Sequence, residues 1–109
     1  MNFTEYQALA RRTQNRRLTP DEKLRHALCG LPAEVGEICG HFQKVYQGHP
    51  VLVEKIAEEM GDALWFLGEL ADSLGLSLDD IARENIETLK KRYPSGFDEE
   101  ASLHREVRA

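Results

Sequence analysis

Residues 53–74 read V-E-K-I-A-E-E-M-G-D-A-L-W-F-L-G-E-L-A-D-S-L. Val53, Ile56, Ala57, Met60, Ala63, Leu64, Leu67, Leu70, Ala71 and Leu74 recur at intervals that line one broad face of an α-helix. Gly75 then closes the run, because glycine takes the left-handed conformation that ends helices. A helix with so wide an apolar side must pack against others.

Upstream, T-P-D-E at 19–22 is a start signal: Thr19 as N-cap, Pro20 as first helical residue, Glu22 as capping-box partner. The helix it opens carries Leu24, Leu28, Leu31, Val35, Ile38, Phe42 and Val45 along one face. Pro32 removes a backbone donor, which predicts a kink or a split near Gly30. Gly48-His49-Pro50 supplies the turn into residues 53–74. A first helix is expected from Thr4 to about Arg12, with Phe3, Tyr6 and Leu9 as its apolar side. Ser77 is placed to cap a fourth, with Asp80 at its third position and Leu78, Ile81, Ala82, Ile86 and Leu89 as its apolar residues. Tyr93-Pro94-Ser95-Gly96 ends it, and a short last helix starts at Asp98. No segment alternates with period two, so the expected fold is an all-α, four-helix-bundle-type domain.

With 109 residues the chain suffices for one domain. Its composition, 41% hydrophobic and 30% charged, is that of an ordinary soluble protein. No apolar run approaches the roughly 20 residues of a membrane helix, and MNFTEYQALARR lacks a signal peptide's apolar core. A cytoplasmic protein with no membrane association is expected. The net charge of −5 argues against a general nucleic-acid surface. Arg11, Arg12, Arg16 and Arg17 form a local basic cluster, read as a solvated helix end and loop. Cys29 and Cys39 lie about 15 Å apart on one helix, too far to pair, and are read as buried reduced thiols.

Two short motifs point to chemistry. Residues 34–37 read E-V-G-E and residues 59–62 read E-M-G-D, each with a glycine that costs a helix about 1 kcal/mol relative to alanine. With Val35 and Met60 taken as the core directions, each pair falls at about −100° and −160° on its helical wheel. The midpoints of the two pairs lie equally far before and after Gly48, about 19 Å along each helix. An antiparallel hairpin therefore brings Glu34, Glu37, Glu59 and Asp62 to one height, on adjacent flanks of the bundle. Two such charges about 4 Å apart repel by about 4 kcal/mol at an effective dielectric near 20. A hard divalent cation relieves this, and all-oxygen donors suit Mg²⁺, with Mn²⁺ as a substitute. The glycines leave room for a neighbouring helix or a phosphate. A di-iron bundle needs Glu-x-x-His on two helices, whereas His41 is four residues from Glu37 and no other histidine offers the spacing. Asn85, Lys90, Lys91, Arg92 and Tyr93 supply candidate phosphate contacts, as does Lys44, two turns beyond the first pair. No P-loop and no nucleophile elbow is present. Trp65 and Phe66 are read as core or dimer contacts before base-stacking ones.

L-P-A-E-V-G-E (31–37), E-E-M-G-D-A-L-W-F-L (58–67), G-L-S-L-D-D-I-A (75–82) and N-I-E-T-L-K-K-R-Y-P-S-G-F (85–97) together resemble the MazG-like nucleoside triphosphate pyrophosphohydrolases, within the all-α NTP pyrophosphatase superfamily. The resemblance covers residues 24–98 of a single domain, 1–109, with 99–109 as a short C-terminal tail. It implies cleavage of (d)NTPs between the α- and β-phosphates, yielding (d)NMP and pyrophosphate. It assigns Glu34, Glu37, Glu59 and Asp62 to Mg²⁺, with Glu34 or Glu37 also helping to activate water. It assigns Lys44, Asn85, Arg92 and Tyr93 to the substrate. It also implies a homodimer or homotetramer, which agrees with the small core of a chain this size. Thr88 stands where such proteins often carry lysine, a role open to Lys90 or Lys91. Two other readings are a phosphoribosyl-ATP-type pyrophosphohydrolase and a non-catalytic helical module that binds metal or nucleotide.

Overall fold

The computed structural model describes residues 1–105. Among them are five helices and no strand: α1 (Phe3–Arg11), α2 (Pro20–Val45), α3 (Val53–Ser73), α4 (Leu78–Arg92) and α5 (Glu99–Leu103). The chain divides into two compact units, one ending at Leu78 and one starting at Asp79. In the first, α2 and α3 form an antiparallel hairpin and α1 packs on α3.

The ends of these helices follow from local chemistry. Thr19 Oγ1 accepts from the Glu22 amide at 3.2 Å and Glu22 Oε1 accepts from the Thr19 amide at 3.0 Å, which completes the capping box. Past α3, Gly75 at φ +68° lets the Leu76 amide reach back to the Ala71 carbonyl at 2.8 Å and its own amide to that of Asp72 at 3.2 Å. Asn2 caps α1 and Asp98 caps α5.

Pro32 does not split α2, which runs unbroken from Pro20 to Val45. The carbonyl that loses its donor is that of Leu28, and both Leu28 and Pro32 are exposed, so water can take the missing bond's place. Gly30 has a different task. A Cβ there would lie 2.1 Å from Phe66 Cε1, so the absence of a side chain lets α2 and α3 approach closely.

The broad apolar stripes divide into two faces. Leu24, Ala27, Leu31 and Ile38 of α2 and Ile56, Ala63, Phe66 and Leu70 of α3 are buried or half-buried, on the sides that meet. The other half points outward: Leu28, Val35 and Phe42, then Val53, Met60, Leu67 and Leu74, are 41–71% exposed. Val35 and Met60 are thus not core directions within this chain. A stripe this wide has more than one neighbour to satisfy, and the hairpin covers only one of its edges. Cys29 and Cys39 are exposed free thiols, not buried ones, because neither falls on the inward edge of α2.

Candidate metal centre

With the inward edges facing each other, Glu34 and Glu59 fall in the seam between α2 and α3, not on its flanks. Glu34, Glu59 and Asp62 each place one carboxylate oxygen within 4.8 Å of the others. Glu34 and Glu59 are half-buried and Asp62 is exposed, so the cluster opens to one side. Glu37, also exposed, is near enough to lower the Glu59 carboxyl but is not one of the three acids whose oxygens gather. All four acids therefore come to one height along the hairpin, as their distances from Gly48 require.

The cluster strains against its own charge. The Glu59 carboxyl is pushed above its ordinary value by its hydrogen bond with Glu34, then by desolvation and by the charges of Glu34 and Asp62, while Glu37 pulls it down. Glu34 Oε2 is buried and has no hydrogen-bond partner. An orphaned, inward-facing carboxylate oxygen costs free energy unless a cation or donor meets it. The donor set is oxygen throughout and fits a hard divalent cation. His41, one heptad beyond Glu34, brings Nε2 to 3.8 Å from Glu59 Oε1. From α1, Tyr6 comes near enough to Asp62 for that charge, after desolvation, to raise the phenol above its ordinary value. Neither neighbour was singled out from sequence for this place. For His41 the signal was present, since it continues the inward spacing of Glu34 and Ile38. For Tyr6 nothing local fixes how α1 lies on α3.

The remaining candidates are placed as follows. Lys44 is exposed in the last turn of α2 and makes no ion pair among the described residues. Asn85 and Arg92 are on α4 and Tyr93 directly follows it, all within the second unit, where the Tyr93 ring lies 5.5 Å from that of Phe97. Trp65 and Phe66 are half-buried, in a T-shaped pair at 5.1 Å with His26 beside them, and the Trp65 indole donates to Thr13 Oγ1 at 2.7 Å. One turn further along α3, Glu69 is 1% exposed and takes a 2.5 Å hydrogen bond with His26 Nδ1. At Gly36 and Gly61, apart from the helix's own nearby backbone and chain neighbours, nothing among the described residues lies within 4 Å of where a Cβ would stand, so the close approach expected there is not made by them.

Residues 23–97 match the MazG nucleotide pyrophosphohydrolase domain, a span that contains the acidic cluster together with Asn85, Arg92 and Tyr93. The chain belongs to the MazG family. The chain is also similar to the Gene 37 protein of Mycobacterium phage L5, at 26% identity over 80 residues, covering 69% of this chain and 70% of that one. No solved structure matches. The family is one of nucleotide pyrophosphohydrolases, and the all-helical fold agrees with it. No helix among the described residues is long and apolar enough to cross a membrane.

Proposed function

We propose that the protein is a Mg²⁺-dependent nucleoside triphosphate pyrophosphohydrolase of the cytoplasm that clears (d)NTPs to (d)NMP and pyrophosphate. The observation that carries this is the convergence of Glu34, Glu59 and Asp62 within 4.8 Å, inside the matched MazG span. Glu34, Glu59 and Asp62 hold the ion, and Glu37 completes the set from its place beside Glu59. Mn²⁺ serves in place of Mg²⁺, since both accept oxygen donors. Once bound, the ion supplies charge neutralisation at the phosphates and a more acidic water. Glu34 or Glu37 takes the proton of the attacking water as its oxygen bonds to the α-phosphorus. The bond from that phosphorus to the bridging oxygen breaks, and pyrophosphate leaves with the electron pair. Lys44, Asn85, Arg92 and Tyr93 bind and orient the phosphates.

Residues 1–109 are read as a single domain, a reading supported by a family match that runs across Leu78. The site works in a homodimer or homotetramer. Seven outward apolar residues at heptad intervals on α2 and α3 are the kind of seam a second copy covers. The room at Gly36 and Gly61 lies beside them, left for that copy or for substrate.

Purified protein is mixed with each NTP and dNTP, and with phosphoribosyl-ATP, in Mg²⁺, and the products are separated by chromatography beside Glu59→Gln. Monophosphate plus pyrophosphate, lost in the variant, is the expected result. Diphosphate plus phosphate would overturn the cleaved bond. Turnover of phosphoribosyl-ATP alone would overturn the substrate, and metal binding without any turnover would leave a binding module.

A further inference from the structure

Where α1 ends and α2 begins, the first unit carries a cavity of about 700 Å³ unrelated to the acidic cluster. Its cationic lining is Arg11, Arg12, Arg16 and Lys23, against a single carboxylate, Asp72. Asp72 follows Asp62 by ten residues on α3, about 15 Å away along the helix.

The one carboxylate is already satisfied. Asp72 Oδ1 accepts from Arg11 at 2.8 Å and from Gln7 at 2.8 Å, and Oδ2 accepts from the buried Gln14 at 2.7 Å. Arg12, Arg16 and Lys23 make no ion pair among the described residues, in a chain whose net charge is −5. The nearby acids of α2 are turned elsewhere: Asp21 pairs with Arg25 at 3.0 Å, and Glu22 caps Thr19. The helix dipole accounts for cations at the end of α1. It opposes Lys23, which sits in the opening turns of α2, half-buried, where the dipole's positive end disfavours a cation. Three unpaired cations lining one hollow, one of them placed against its helix, favour an anion there.

We propose that this cavity binds an oligophosphate, two or three linked phosphoryl groups either free or carried on a nucleoside. Guanidinium forks match phosphate oxygens in pairs, and several unpaired cations together suit the multiple charges of linked phosphoryl groups. The volume lies in the range of small-molecule sites. Leu18 and Pro20 add an apolar wall on which a nucleoside would rest. The site stands apart from the pyrophosphohydrolase reading and needs no metal.

The chain's one tryptophan is a ready reporter, because its indole is bonded to Thr13, next to the lining residues Gln14 and Asn15. Sodium tripolyphosphate and ATP are titrated separately into Glu59→Gln protein in EDTA, followed by Trp65 fluorescence and calorimetry. The acidic cluster is silent there, so the outcome does not depend on the enzyme's activity. Saturable binding is expected, weakened at least about tenfold by Arg12→Gln with Arg16→Gln, or by Lys23→Gln. Circular dichroism checks that these variants fold, as expected for side chains with no ion pair to lose. Equal affinity for both ligands assigns the site to free oligophosphate, and tighter ATP binding assigns the wall to a nucleoside. No binding, binding unchanged in the variants, or binding of a DNA oligonucleotide but not tripolyphosphate would overturn the proposal.

Discussion

Single side chains decide whether buried charge in this molecule is an asset or a strain. At Asp72 desolvation pushes the carboxyl up, but hydrogen bonds from Arg11, Gln7 and Gln14 outweigh it and hold the group below its ordinary 3.8. A depressed carboxyl adds stability that is full above its unfolded value and lost as pH falls through the folded one. Wild type should therefore lose stability below about pH 4 more steeply than Asp72→Asn, read by urea melts across that range. At pH 7, Asp72→Ala should cost about 2–3 kcal/mol, because buried Gln7 and Gln14 lose their acceptor. Glu59 has the opposite sign: its raised carboxyl weakens the fold as pH rises past the ordinary 4.5. Glu59→Gln should raise the melting temperature in EDTA at neutral pH, and Mg²⁺ should raise that of wild type but not of the variant.

Among elements, α2 shows what spacing reveals and what it conceals. Its start at Thr19-Pro20-Asp21-Glu22 was legible because capping is chemistry between near neighbours. The common height of the acidic pairs was legible too, since rise per residue and a turn at Gly48 fix it. Which edge of the stripe meets α3 was not. Val35 and Met60 satisfy the same spacing as Leu31 and Ile56, and the rotation depends on contacts between distant residues, such as the close approach of Gly30 to Phe66. That contact is testable: Gly30→Ala should overpack the seam and cost about 1–3 kcal/mol by urea denaturation, despite alanine's better helix propensity. Gly36→Ala, where the chain leaves open space, should not overpack the α2–α3 seam, so any loss in the same experiment would come from the second copy. Pro32 taught a similar lesson. Its missing donor matters only if the deprived carbonyl is dry, and here Leu28 and Pro32 are both exposed.

At the scale of the molecule, the first unit has buried carboxylates and amides but few wholly buried apolar side chains: Ala27, Ala71 and Leu78 among the described residues. A chain with so little interior is a half-built core, and its outward stripe is the material for the rest. On that reading a second copy lays its own Leu28-Val35-Phe42 and Val53-Met60-Leu67-Leu74 edges against these, and α2 and α3 become half of a four-helix bundle. Leu28→Lys with Leu74→Lys puts charge into the seam while leaving both acidic motifs untouched. Each lysine would have to give up its hydration at the interface, a penalty of several kcal/mol per ion. Light scattering after gel filtration should find the wild type as a dimer or tetramer and the double variant as a monomer with a lower melting temperature. A monomeric wild type would remove the second copy from the core, and the exposed stripe would then need another partner.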